Sequence, residues 1–515
     1  YYTLRVLSDA TRRLIAQRLS AEVGRIDKDA PLRVALAYPS PYHVGMSSLG
    51  FQRVYRLIQE SSGMGCERIF LPDGADQPGV PVRERPVSYE GLRTLGEFPI
   101  VAVSVAYELE LAGLVKLLES SGIPPLAAER SPKHPFVLAG GPLTFGNPAT
   151  LSPFADAVVL GEAEELLLPV LEVIAGSRSR SEALATLSRM PSVYVPSEHG
   201  DALPKPAICD DALLPAYSAI RTPHTELANM FLIEPERGCS RGCTYCVMRR
   251  STNGGMRLVP QETVLERIPP DVRRVGLVGA AVSDHPRIAD IVRKLAERGA
   301  EVGLSSLRPD RLKEDLISAL RAGGYRTLTT ALDGASERMR NLIERRGREP
   351  HYQTAAELAR KYGMDRLKLY LMVGLPGESD EDIDECVRFV SDLSRVIPVA
   401  LGVAPFCAKR NTPLDRMPFA GVTLVQERLA RLRRGLAGRA DVRATSAKWA
   451  WVEYVLSQGG RAEAEALLAA VRAGGRFGHY RKAFAELGHS PTGEGYEAAA
   501  PPPPSRPLRR SLSIV

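Results

Sequence analysis

The sequence predicts an α/β protein: two successive runs of alternating strands and helices, then a helical C-terminal region. Three observations carry this expectation. At 515 residues the chain exceeds what one ordinary core organises, so two or three domains are expected. Short apolar runs such as LRVALAYP (32–39), IVAVSVAY (100–107) and RLKLYLMVG (366–374) have the continuous hydrophobicity of strands buried on both faces of a parallel sheet. Amphipathic stretches of helical period lie between them and end near glycines.

In chain order, residues 1–30 read as a helical arm. The first alternation covers 31–177: strands at 32–39, 66–72, 100–107, 136–141 and 156–161, with helices at 46–63, 110–122 and 162–176. This is the doubly wound pattern. The stretch 178–229 is less regular and reads as a linker or accessory unit. From 230 to 417 the alternation resumes with MFLIEPERG, RVGLVGA (274–280), EVGLSSL (301–307), TLTTALD (327–333), RLKLYLMVG and VALGVAP (399–405). Six strands with helical crossovers suit a partial (β/α)6 barrel. Residues 418–490 turn helical and Arg-rich, and the Pro/Ala/Ser-rich tail 491–515 is expected to be disordered.

Composition narrows the function classes. Hydrophobic residues make up 44% and charged residues 25%, as in ordinary soluble proteins, and no apolar run reaches the ~18–20 residues that span a bilayer. The N-terminus lacks the apolar core of a signal peptide; the missing initiator Met reads as the trace of a trimmed leader or tag. A net charge of +7 is spread along helices rather than gathered in a block, which favours solvated helix faces over a nucleic-acid footprint. Seven cysteines without a secretory signal point to a reducing, cytoplasmic setting, where clustered thiols serve metals or catalysis.

Three of those cysteines fall within 234-EPERGCSRGCTYCVMRR-250, as Cys239, Cys243 and Cys246. A structural zinc closes its shell with four protein ligands, and the nearest histidines, His224 and His285, are not local. A zinc site completed from afar, or thiols without metal, are the plain alternatives. A [4Fe–4S] cluster held by three thiolates keeps one iron free to chelate a substrate, which gives a chemical reason for the missing fourth ligand.

RGCSRGCTYC resembles the signature of the radical S-adenosylmethionine (radical SAM) superfamily, CxxxCxxC with an aromatic residue before the last Cys. The resemblance implies that Cys239, Cys243 and Cys246 bind a [4Fe–4S] cluster whose free iron takes the amino and carboxylate groups of S-adenosylmethionine. One electron would then cleave the sulfonium to a 5′-deoxyadenosyl radical. Further segments are similar to the family's cofactor loops. GAAVSDHP (279–286), with Gly279, Ser283 and Asp284, stands where relatives carry a GGE-like loop, although the glutamate is absent. Ser305, Ser306 and Arg308 end the third strand, where relatives place Ser and Arg against the cofactor's carboxylate and ribose. Asp333 in ALDGASERMR, Gly374 in GLPGES and Tyr245 complete the implied S-adenosylmethionine set.

The first alternation resembles the Rossmann-like, cobalamin-binding domain that precedes many radical SAM barrels, on LRVALAYPSPYHVGMSSLG, Ser104, AGGPLTFGNP (139–148) and VVLGEAEE (158–165). The D-x-H-x-x-G signature is missing: His43 is present, but Pro41 and Met46 occupy the Asp and Gly positions. The implied cobalamin contacts are His43, Ser104, Gly140, Gly141 and Gly161; a loop histidine and a domain that has lost its cofactor are the alternatives. Taken together, the expectation is a radical SAM enzyme performing cobalamin-dependent methyl transfer to an unactivated centre. An external electron donor such as flavodoxin or ferredoxin is implied, with no membrane role. The alternatives are cobalamin-independent hydrogen abstraction or rearrangement and, from another class, a non-catalytic iron–sulfur protein. Methylthio transfer would need a second cluster, and only Cys66 and Cys209 precede the motif. Cys386 reads as a core residue, and Cys407 as either a buried thiol or a hydrogen donor at the barrel mouth. The substrate (small molecule, peptide or RNA) stays open: the Arg-rich stretch 428–443 lacks the interleaved aromatics that stack bases.

Overall fold

The computed structural model describes residues 7–248, 255–499 and 512–513. The chain divides into two compact units, one formed by the residues up to Met230 together with Val455–His489, the other by Phe231–Tyr454 and the segment from Ser490.

In the first unit, helix α1 (Asp9–Ser20) begins at Ser8, whose side chain accepts the Thr11 N–H. Among the described residues of the expected N-terminal arm, only this part is helical. The strands are β1 (Leu32–Pro41), β2 (Met64–Leu71), β3 (Ile100–Ser104), β4 (Phe136–Gly140), β5 (Ala157–Val159) and β6 (Val193–Tyr194), in sheet order β2-β1-β3-β4-β5-β6. The first five run parallel and β6 is antiparallel to β5. Helix α2 (Leu49–Glu60) places Phe51, Tyr55 and Ile58 at helical spacing on its buried face, where Phe51 meets Tyr38 edge-on at 5.5 Å. Arg68 is among the charges buried in this unit: it is fully enclosed and held by Glu22 at 2.7 and 2.8 Å and by Glu90 at 2.6 Å. Residues 178–229, expected to be accessory, supply β6 and the buried Ile220 to the same core. The helices Arg461–Arg472 and Phe477–Ala485 also pack here; Asn147 Nδ2 donates to the carbonyls of Leu456, Ser457 and Gly459 at the turn before them.

The second unit opens with β7 (Phe231–Ile233) and a small hairpin, β8 (Glu236–Gly238) with β9 (Met256–Leu258), whose antiparallel ladder closes the neck of the cysteine loop. Then follow β10 (Arg274–Leu277), β11 (Glu301–Leu304), β12 (Thr327–Asp333), β13 (Arg366–Val373), β14 (Val399–Pro405) and β15 (Ala440–Ala444). Two parallel sheets result, β11-β10-β7 and β12-β13-β14-β15, linked by the parallel bridge Leu307–Thr330. The order is that of the expected partial barrel with β15 added at its end, inside a stretch expected to be helical. Strand β13 shows what the barrel does: Leu367, Leu369, Leu371 and Val373 are buried, while Arg366 and Tyr370 are exposed and Lys368 and Met372 half-buried. Tyr370 stands in register between Ala331 and Gly402, so its immediate neighbours across the sheet are small. The tail departs from the expectation over residues 491–499, where Tyr496 is buried and its hydroxyl donates to the Leu375 carbonyl at 2.5 Å. Residues 500–511 and 514–515 of that tail lie outside the described residues.

Candidate active site

The cysteine loop springs from β8 through Gly238, whose φ of +101° suits glycine. It is fastened by Cys239 N–H to the Gly255 carbonyl at 3.1 Å and by Thr244 N–H to the Ile343 carbonyl at 3.1 Å. Cys239, Cys243 and Cys246 thereby line one cavity of about 300 Å³, facing Ser306, Arg308 and Asp333. Burial pushes the Cys239 thiol up to about 11 and raises that of Cys246, and the neighbouring cysteines add repulsion. The Cys239 and Cys246 thiols, which resist ionising, need a cation to hold them as thiolates. Among the described residues, the His, Cys, Asp or Glu ligand atoms gathered closely enough for a single ion are those of Glu162, Glu164 and Cys209, not the three cysteines. The wider spread suits a multi-iron cluster better than one zinc with ~2.3 Å bonds. At Glu162, Glu164 and Cys209 the charges are met by protein: Glu162 accepts the Cys209 N–H at 2.9 Å, and Glu164 lies 3.9 Å from Arg53.

Around the cysteines the expected cofactor residues assemble into ion-paired arms. Arg308 donates through Nη2 and Nε to Asp310 at 2.7 and 3.3 Å, and through Nη1 to Asp284. Asp284 also accepts from Ser240 Oγ at 2.7 Å, and Ser283 Oγ accepts the Arg308 N–H at 3.1 Å. The Arg308 fork, expected to face a cofactor carboxylate, is thus taken up by protein carboxylates. Ser305 Oγ donates to the Gly279 carbonyl at 3.0 Å and ties the ends of β10 and β11 together. Asp333, at φ +62°, accepts from the Tyr245 hydroxyl at 2.6 Å and pairs with Arg345 at 2.9 Å. Burial and the adjacent Asp333 carboxylate push the Tyr245 phenol well above its usual value. Gly279, Ser283 and Gly374 stand outside the cavity wall, which includes Ala280 instead. Gly374 donates its N–H to Glu378 at 2.6 Å, and Glu378, raised to about 7 by burial against the pull of Arg428, is held by Arg428 at 2.9 Å.

Sequence reasoning missed Glu236. Its carboxyl is fully enclosed and accepts the Ala281 N–H at 2.8 Å, and burial lifts it to about 8. A Cβ at Gly279 would sit 2.1 Å from Glu236 Oε1. The loop that lacks the family's acidic residue therefore receives a carboxyl from β8, two strands earlier in the chain. Arg345 and Asp310 were missed as well, because nothing in their local sequence marks them. The structure also places the two cysteines beyond the motif. Cys407 donates its thiol to the Ala450 carbonyl at 3.1 Å, away from the cavity wall, and Cys386 is fully buried. In the Arg-rich helix Val422–Gly435, Arg428 is buried and Arg431 is engaged by Asp380 and Asp384, each at 2.6 Å.

In the first unit, Ser104 ends β3, Gly140 ends β4, Gly161 follows β5, and His43 sits on the one-turn helix Tyr42–Gly45 after β1. All stand at the carboxyl ends of parallel strands, where open α/β sheets bind ligands. Two of the glycines have a reason within the chain: a Cβ would lie 2.6 Å from the Val105 carbonyl oxygen at Gly141 and 2.5 Å from that of Ala207 at Gly161.

A mixed α/β chain that sets three loop cysteines at the mouth of a partial parallel barrel defines the radical SAM class. Residues 233–390 match the radical SAM superfamily and residues 50–196 the N-terminal region of radical SAM proteins, and the chain is a radical SAM enzyme. An uncharacterized protein of Methanocaldococcus jannaschii is 26% identical over 397 residues, covering 75% of this chain and 80% of that protein. The ribosomal protein uS12 methylthiotransferase RimO of Geobacter sulfurreducens is 27% identical over 215 residues, covering 38% of this chain and 46% of RimO. Among solved structures, the radical S-adenosylmethionine methyltransferase TsrM of Kitasatospora setae, with cobalamin and a [4Fe–4S] cluster bound, superposes with a TM-score of 0.59 at 13% identity. That match covers 89% of this chain and all of TsrM, and at such identity it speaks to the fold. Among the described residues no helix is long and apolar enough to cross a membrane.

Proposed function

We propose that Cys239, Cys243 and Cys246 hold a [4Fe–4S] cluster at which S-adenosylmethionine is reductively cleaved, and that the enzyme uses cobalamin to transfer a methyl group. When bound, the cluster supplies the electron that breaks the sulfonium, and cobalamin carries the methyl group. The carrying observation is the arrangement of three cysteines, and no fourth, on one wall of a cavity whose other wall is Ser306, Arg308 and Asp333. In this reading Ser306 and Arg308 meet the polar end of S-adenosylmethionine, and the Tyr245–Asp333–Arg345 chain keeps the loop after Cys243 in place. Tyr370, the exposed side chain on the same wall, marks the substrate's side of the cavity. Cobalamin would be held by His43, Ser104 and the glycine turns at Gly140, Gly141 and Gly161. The TsrM-like fold supports this assignment.

Methylthio transfer, the activity named for RimO, is the second reading. It calls for a second cluster, and Cys66 and Cys209, the cysteines ahead of the motif, are both buried. Anaerobic reconstitution with iron, sulfide, S-adenosylmethionine and a flavodoxin or ferredoxin reductant tests the reading. We expect 5′-deoxyadenosine and S-adenosylhomocysteine; the absence of both would refute the catalytic assignment. Cys243→Ala is expected to abolish the brown chromophore. A protein that never acquires corrin absorbance from supplied cobalamin would remove the methyl-transfer reading while leaving the radical chemistry standing.

A further inference from the structure

Three arginines line the cysteine cavity, and they are not equally neutralised. Arg308 reaches carboxylates through all three of its nitrogens, using both oxygens of Asp310 and one of Asp284. Arg345 has Asp333 to itself among the arginines. Arg241, midway between Cys239 and Cys243, has a single carboxylate oxygen, Asp310 Oδ2, and that atom already accepts from Arg308 Nη2. Its Nη1 donates to a neutral acceptor, the Arg345 carbonyl, at 2.8 Å. Its Nε is enclosed and, among the described residues, has no hydrogen-bond partner. A largely buried guanidinium with a shared counter-ion and an unused N–H is costly unless an anion comes to meet it. Arg241 already leans that way, because its backbone N–H points to Cys239 Sγ at 3.4 Å.

The potential of an iron–sulfur cluster depends on its net charge, on hydrogen bonds to its sulfurs and on its exposure. Three thiolates around a cluster make an anionic assembly that gains a further negative charge on reduction, and a nearby uncompensated cation in a cavity of low dielectric opposes that cost. We propose that Arg241 is the residue that sets the cluster's reduction potential, its partly neutralised guanidinium stabilising the reduced state. Arg241 acts on the cluster as a positioning and tuning group, and the inference rests on the cluster assignment made above.

The test is a redox titration, followed by electron paramagnetic resonance, of the full chain after anaerobic iron–sulfide reconstitution, at fixed pH and without S-adenosylmethionine. Arg241→Gln is expected to move the midpoint to a more negative potential, and Arg241→Lys to stay near wild type. Asp310→Asn, which removes the carboxylate that quenches Arg241, is expected to move it the opposite way, a sign reversal that general loosening of the loop does not produce. An unmoved midpoint in Arg241→Gln overturns the inference. If that variant takes up no iron, Asp310→Asn decides, and an unmoved or more negative midpoint there overturns it. A wild-type protein that forms no chromophore defeats the cluster assignment itself and this inference with it. A normal chromophore with indifferent potentials defeats only the role of Arg241.

Discussion

Two parallel sheets in this chain use their faces differently. In β1 of the first unit, the residues from Val34 to Pro41 are buried without alternation, because helices cover both sides. In β13 of the second unit, burial alternates residue by residue, with Leu369 fully enclosed and Tyr370 40% exposed. The charges follow the same division. Arg68 in the first unit is enclosed and matched by two carboxylates, whereas Arg241 at the cysteine cavity shares one oxygen with another arginine. A scaffold neutralises what it buries. A reaction cavity keeps an open row and an incompletely paired charge for whatever enters it.

The comparison can be broken by measurement. Glu22→Gln strips Arg68 of its two-oxygen partner and leaves a buried charge short of compensation; we expect a loss of about 3–5 kcal/mol in the denaturant transition of the first unit. A loss under ~1 kcal/mol would mean that the core reorganises around Arg68 at little cost. Leu369→Ala should cost about 2–5 kcal/mol by the cavity it leaves, whereas Tyr370→Ala, one residue on, should change stability by less than ~1 kcal/mol. Equal losses would show that the inner row is packed after all. A further effect concerns pH. Glu236 is raised to about 8 in the fold, against an unfolded value of ~4.3, so the folded state favours its protonated form. The protonated carboxyl contributes fully below pH ~4, and that contribution drains away as pH rises towards about 8. Glu236→Gln, which mimics the protonated acid, should flatten this part of the Tm-against-pH curve relative to wild type; parallel curves would place the Glu236 titration elsewhere.

Strand positions were legible because a buried parallel strand must be apolar along its length, and the cysteine motif because ligands on one loop keep a short spacing. Glu236 was not legible, since its partners at Gly279 and Ala281 belong to a loop some forty residues later. The same holds for Asp310 and Arg345, whose roles exist only where three strand ends converge. Composition misread the tail: residues 490–499 look like low-complexity sequence, yet Tyr496 finds Arg428 at 2.9 Å and the Leu375 carbonyl. Arg-rich composition likewise suggested a free basic face on the helix that supplies Arg428, where two of its arginines are spent on carboxylates.

By itself, then, the sequence determined the two alternating α/β runs and the three-cysteine motif, because hydrophobic period and motif spacing are local properties of a chain. Only the tertiary structure decided that Val455–His489 joins the first unit and that β8 lends its carboxyl to the loop after β10. It alone decided, too, which of the cavity's arginines lacks a full counter-charge. Charge balance and cavity shape are sums over residues distant in sequence, and no local pattern records them.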